Sequence, residues 1–232
     1  MFLVFSLCVS FGDLFAQTAD DIIDRNIAAM GGRDKLSRLN SVYEEITTSV
    51  MGQDIPGKIW IINNRGMRMD LSILGQKLIT VMTKDSGWMV NPLMGGGEPQ
   101  PLPVDQLKEA AARIDLHGQF MDYSSKGYAA TLVGSEVVNG NDNYKVKLTK
   151  GGQSFIFFVD SVTSLVSRIQ TAVKAEGRSV QTSILLSDYR KTPEGYLFPF
   201  VMTINVAGQE VKSKIKVLTI NPAVDPVNFQ RP

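Results

Sequence analysis

From Ser41 to Asn91 and again from Tyr128 to Ile220 most segments alternate hydrophobic and polar residues with a period of two, and glycine, asparagine and aspartate interrupt the alternation at short intervals. This pattern predicts strands with one apolar face, joined by tight turns. Five are expected over residues 41–51, 55–63, 66–74, 77–83 and 87–91, and seven more over 128–138, 144–149, 154–160, 165–172, 179–190, 200–206 and 210–220. Their connections are mostly too short for parallel crossovers, so the expected sheet is antiparallel, with about a dozen strands. The clearest unit is the hairpin 144–168. Its first arm sets Tyr144, Val146 and Leu148 against Lys145 and Lys147, whereas its second arm is apolar at every position from Phe155 to Val159. Such an arm calls for apolar cover on both faces, which suits a sheet curling around an interior. Alternation alone leaves open whether Phe155, Phe157 and Val159 or Ile156 and Phe158 face that interior.

Two segments carry the helical period instead. Thr18 is a capping residue, Asp20 and Asp21 suit the positive end of a helix dipole, and Ile23, Ile27 and Met30 form one apolar stripe ending at Gly31 and Gly32. A second short helical piece follows, to Leu39. Residues 91–103 hold three glycines and four prolines and read as a flexible connection. Beyond it, Val104, Leu107, Ala111 and Ile114 make a narrow stripe on a helix over 104–117. A hinge followed by an amphipathic helix fits a movable lid, and a fixed cover over the sheet fits equally. Met67, Met69, Leu71 and Ile73 share one strand face, where the methionines serve either as ordinary core filling or as an adaptable apolar surface.

Composition narrows the function. The chain has 232 residues, 44% hydrophobic and 20% charged, with a net charge of +1. One β domain over 17–232 accommodates that length, and scattered lysines and arginines give no footprint for nucleic acid. Residues 1–16 are apolar and read as an export signal cleaved after Ala16, although no basic residue precedes Arg25. The only cysteine, Cys8, lies inside that segment, so the expected mature chain has no disulfide and no thiolate metal site. His117 is the only histidine, and it reads as solvated. A zinc site of several histidines is excluded, and a serine triad lacks its Gly-x-Ser-x-Gly turn. A hydrolase working with paired carboxylates would draw on Glu44 and Glu45, Asp20 and Asp21, or Asp85, all at positions that read as caps, turns and a wet strand face. The chain therefore reads as a non-enzyme, without metal or cofactor.

Six segments carry a resemblance: ADDIIDRNIAAMGG at 19–32, DSGWMVNP at 85–92, SEVVNGNDNYKVKL at 135–148, FFVDSVTSLVSR at 157–168, SDYRKTPEGYLFP at 187–199 and DPVNFQRP at 225–232. In order and spacing they resemble the outer-membrane lipoprotein carrier and sorting family of LolA and LolB type. The resemblance implies a mainly β (α+β) fold: a strongly curved antiparallel sheet, or incomplete barrel, enclosing an apolar cavity covered by helices. It implies a monomeric periplasmic carrier of lipoprotein acyl chains or lipid, with an inner-membrane release complex as donor and an outer-membrane acceptor. An envelope sensor or structural lipid-binding module on the same fold is the second reading. The cavity candidates are Trp60, Met67, Met69, Leu71, Ile73, Trp88, Phe155, Phe157 and Val159. Leu107, Ala111 and Ile114 are the lid candidates, and Arg65 is the nearest match to the family's lid-holding arginine, in an Asn-Asn-Arg-Gly context rather than Arg-Pro.

Overall fold

A computed structural model describes residues 17–231 apart from 95, 104–106, 108–111, 176, 177 and 207. The expected export segment, Val104 and Ala111 lie outside the described residues. Helix α1 spans Ala19–Ala29, and its capping box is complete: the Thr18 hydroxyl accepts from the Asp21 amide and the Asp21 carboxylate accepts from the Thr18 amide. Gly31 and Gly32 end it at φ +123° and +88°, a backbone that a side chain would strain. The short helix α2, Arg33–Leu36, follows.

Among the described residues thirteen strands then form one antiparallel sheet: β1 Ser41–Val50, β2 Gln53–Ile62, β3 Gly66–Ile73, β4 Gln76–Thr83, β5 Gly87–Asn91, β6 Gly96–Pro101, β7 Ala129–Val138, β8 Asn141–Lys150, β9 Gln153–Asp160, β10 Val166–Ala175, β11 Arg178–Lys191, β12 Leu197–Val206 and β13 Gln209–Ile220. Their order is β6-β5-β4-β3-β2-β1-β13-β12-β11-β10-β9-β8-β7. Two meanders thus meet at the central β1–β13 pair, and residues 102–128 cross from one edge of the sheet to the other. Strand β6 was not expected, because its segment carries Pro99 and Pro101. It occupies an edge, where a residue without an amide donor forfeits least.

The sheet has to curve. Ile22, Ile23 and Ile27 of α1 belong to one core cluster with Met67 of β3 and Met82 of β4, and also with Val146 and Leu148 of β8 and Phe157 of β9. Strands β3 and β9 stand seven steps apart in the order, which would place them about 34 Å apart on a flat sheet. A helix about 10 Å across, joined by Ile114, Phe120 and Met121 of the crossover, unites those faces only when the sheet curls around it. The sheet does not close into a barrel, since β6 and β7 remain free edges among the described residues.

The face turned away from α1 is covered differently. The run from Phe155 to Val159 in β9, apolar at every position, was expected to need apolar cover on both sides. On its outer side Phe158 is fully buried beneath the Arg168 guanidinium, 3.7 Å from the ring centre, and the Lys145 ammonium at 5.5 Å. Long cationic side chains supply the cover that the sequence reading assigned to hydrophobic ones. Over β3 and β4 the outer cover is the C-terminal turn Pro226–Phe229. Phe229 sits where a side chain on Gly66 would point, and Arg68 donates to the Asn228 carbonyl at 3.3 Å while pairing with Asp70 at 2.7 Å.

Candidate functional site: the inner face of the sheet

Cross-strand register sorts the inner face into rows running across the strands. One row is Ile220, Val42, Ile61, Met67, Met82 and Gly87. These side chains lie under α1 and the crossover. Gly87 is required there, because a β-carbon would stand 2.6 Å from Leu102 Cδ1 and 2.8 Å from Leu107 Cδ2. The next row is Leu218, Glu44, Ile59, Met69, Thr80 and Met89. The one after it is Ile215, Ile46, Gly57, Leu71 and Leu78, in which Leu71 and Ile46 lean over the space left by Gly57.

Along β3 burial falls from row to row, while Ile46 of β1 stays buried over Gly57. Val42 is fully buried and Met67 nearly so, whereas Met69, Leu71, Ile73 and Leu78 remain part-exposed. Across the β1–β13 seam the same happens on the second meander: Ile184 faces Ile204 and Leu186 faces Met202, which is 37% exposed. The inner face therefore has a helix-covered half that is packed core and an apolar half that keeps contact with solvent.

The expected cavity residues divide accordingly. Met67, Phe157 and Val159 are inner-facing but belong to the packed core, and Phe155 is part-buried against it. Met69, Leu71 and Ile73 lie on the part-exposed half. Trp60 and Trp88 are corrected: register places them in the row Tyr43, Trp60, Arg68, Val81, Trp88, on the outer face. Trp60 packs against Tyr43 with ring centres 5.3 Å apart, and Trp88 is 7% exposed, its indole N–H without a partner among the described residues. The resemblance implied both tryptophans, but each stands one position out of phase with the methionines, and one position reverses the face.

The crossover is fixed by groups other than the one expected. Ile114 is 1% exposed, Leu107 packs on the core, and Ala112 and Arg113 are helical. Arg65 is exposed, with no partner among the described residues. Its neighbours in the β2–β3 turn hold the crossover instead: the Asn63 carboxamide oxygen accepts from the Leu116 amide at 2.9 Å, and the Asn64 amide donates to the Ile114 carbonyl at 2.8 Å. His117 was read as solvated, but it is part-buried. Its Nε2 lies 3.1 Å from Asn63 Nδ2 and 3.2 Å from the Leu39 carbonyl, accepting from the first or donating to the second according to tautomer. Asn63→Ala is expected to cost about 1–2 kcal/mol and to speed amide exchange at Leu116, whereas Arg65→Ala should stay within about 0.5 kcal/mol. Hydrogen exchange and denaturant titration of both variants check this.

One residue of the inner face was misread. Glu44 and Glu45 looked like a wet doublet, but they point to opposite faces. Glu45 lies outside, accepting from the Tyr43 hydroxyl at 2.7 Å and standing 3.9 Å from Lys58. Glu44 lies inside between Ile59 and Leu218, and desolvation pushes its carboxyl up to about 7. The alternation of Val42, Glu44 and Ile46 carried that signal.

No family model and no curated sequence matches the chain. Solved structures do resemble it. A LolA superfamily protein from Nitrosomonas europaea aligns over 93% of this chain and 99% of its own, with a TM-score of 0.61 at 14% identity. An outer membrane lipoprotein-sorting protein domain from Vibrio parahaemolyticus aligns over 90% and 95%, with a TM-score of 0.59 at 9% identity. A DUF1329 family protein from Desulfovibrio piger gives 93% and 98%, with a TM-score of 0.62 at 14% identity. At these identities the common property is the fold: this chain has the curved, helix-covered antiparallel sheet found in LolA superfamily structures.

Proposed function

We propose that this chain is a non-enzymatic periplasmic carrier that takes the acyl chains of a lipoprotein, or of a related lipid, onto the inner face of its sheet and delivers them toward the outer membrane. One observation carries the reading: Met69, Leu71, Leu78, Ile184, Met202 and Ile204 form apolar rows on the concave side that α1 and the crossover leave part-exposed. Each methylene withdrawn from a bilayer costs ~0.8 kcal/mol unless it reaches a comparably apolar surface, so a carrier has to present such a surface in reach of its cargo. The shared fold with a LolA superfamily protein and with a domain named for outer membrane lipoprotein sorting supports the same reading.

Native mass spectrometry of gently purified protein is expected to show bound lipid or lipoprotein, and an environment-sensitive lipid probe should be taken up. Met69→Glu places a charge among the part-exposed apolar rows and should weaken probe binding by about tenfold or more without unfolding the protein. Unchanged binding in a folded variant would remove that face from the site. Absence of both bound lipid and probe uptake in the wild type would overturn the carrier reading.

A further inference from the structure

An acyl-chain surface built of hydrocarbon alone has no use for Glu44. Its carboxyl sits in the row Leu218, Glu44, Ile59, Met69, Thr80, with Val42 and Ile46 as the inner-facing neighbours on its own strand. It lies where the packed half of the inner face gives way to the part-exposed half: Ile59 and Leu218 still touch the core cluster, while Met69 and Leu71, farther along the same face, are part-exposed. No side-chain hydrogen bond or ion pair reaches the Glu44 carboxyl among the described residues, and burial raises its proton affinity.

The charged groups nearby are directed elsewhere. Lys58 of β2 faces Glu45 on the outer side, and Lys216 of β13 is exposed at the irregularity opposite Glu45 and Ile46. On α1, Asp21 binds Thr18, Asp20 accepts from the Tyr123 hydroxyl, Asp24 pairs with Arg33, and Arg25 stacks on Tyr144. On the crossover, Asp115 pairs with Lys126, and Arg113 is exposed. A carboxyl kept among apolar side chains without a partner is costly to the free protein, and such groups concentrate where a ligand completes them.

We infer that Glu44 is a recognition point for the ligand's head, accepting charge-assisted hydrogen bonds from an amine or another strong N–H donor attached to an apolar chain. The inference rests on the reading of the inner face as an apolar-chain site and adds a selectivity to it. The chain lies along Met69 and its neighbours, the N–H group meets the carboxylate, and a ligand with a carboxylate head of its own is disfavoured by like charge.

The test compares dodecylamine with dodecanoate, both below their micelle concentrations, by calorimetry at about pH 8. Wild type is expected to bind the amine about tenfold or more tighter than the carboxylate. Glu44→Gln should erase that preference, and Glu45→Gln, on the outer face, should keep it. In the wild type the preference should also collapse as pH falls from 8 to about 5.5, because Glu44 takes up a proton while the amine stays charged. Equal binding of both probes, or equal loss of preference in both variants, overturns the inference and leaves the apolar-chain site standing. Failure to bind either probe overturns the site and the inference together. If Glu44→Gln does not fold, the wild-type pH series decides: a preference independent of pH overturns the assignment.

Discussion

Phe157→Ala is expected to lower the free energy of unfolding by about 3–5 kcal/mol, among the largest effects of any single truncation on the inner face. Phe157 is 3% exposed, flanked by Val146 on β8 and Ile169 on β10, and its ring lies 4.6 Å from that of Phe120 at 45°. That contact joins the second meander to the crossover, which is also held to the first meander through Asn63 and Asn64. Removing the ring opens a void where three elements meet, and β9 cannot collapse into it without leaving its ladder with β8 and β10. Urea titration of the folded variant measures the loss. A cost below about 1 kcal/mol would mean that the crossover does not seal this part of the sheet.

The same residue shows what the sequence could and could not specify. Local patterns of alternation, apolar runs and turns located twelve of the thirteen strands described, and the start of α1 was legible from the cap Thr18 and the acidic first turn, because these features depend on residues a few positions apart. That β9 is buried on both faces was also legible. Which face meets α1, and that Arg168 and Lys145 cover the other, depends on residues from different hairpins lying side by side, which no local pattern encodes.

The candidate site was harder to read for the same reason. Trp60 and Trp88 became candidates through the family resemblance, and each is separated from the methionine face by a parity that becomes visible only when β2, β3, β4 and β5 are aligned rung by rung. Arg65 was chosen by its resemblance to a family position, while the polar contacts that hold the crossover come from the asparagines beside it and from His117. Short polar side chains in a turn are ordinary loop chemistry in sequence, and they become a clasp only after a segment some fifty residues away is laid against them. That Met69, Leu71 and Ile73 share the face of Met67 was legible, because a clean alternation over one strand suffices for that.

Glu44 gives the second large expectation, and its sign follows from linkage. The carboxyl is raised from its ordinary 4.5 to about 7 in the folded chain. The folded state therefore keeps a proton that the unfolded state releases between those values. Below about pH 4.5 both states hold the proton and Glu44 contributes no pH dependence; between 4.5 and 7 the unfolded state ionises first and stability falls as pH rises; above 7 the penalty is complete. A full shift of this size would exceed 3 kcal/mol at ~1.4 kcal/mol per unit, and partial solvent access to the side chain reduces the expected loss to about 2 kcal/mol. Carboxyls held low by hydrogen bonds, such as Asp188 beside Arg190 and Glu136 beside Arg168, lose their contribution only as pH drops below the ordinary carboxylate range, so they do not obscure this window. Denaturation of wild type and Glu44→Gln is expected to give equal stabilities near pH 4.5 and a variant about 2 kcal/mol more stable at pH 8. Parallel profiles would mean that the carboxyl reaches water and costs nothing. A profile flattened in the wild type by dodecylamine, but not by dodecanoate, would tie the same carboxyl to ligand and stability at once: the proton that folding retains is the one an amine makes unnecessary.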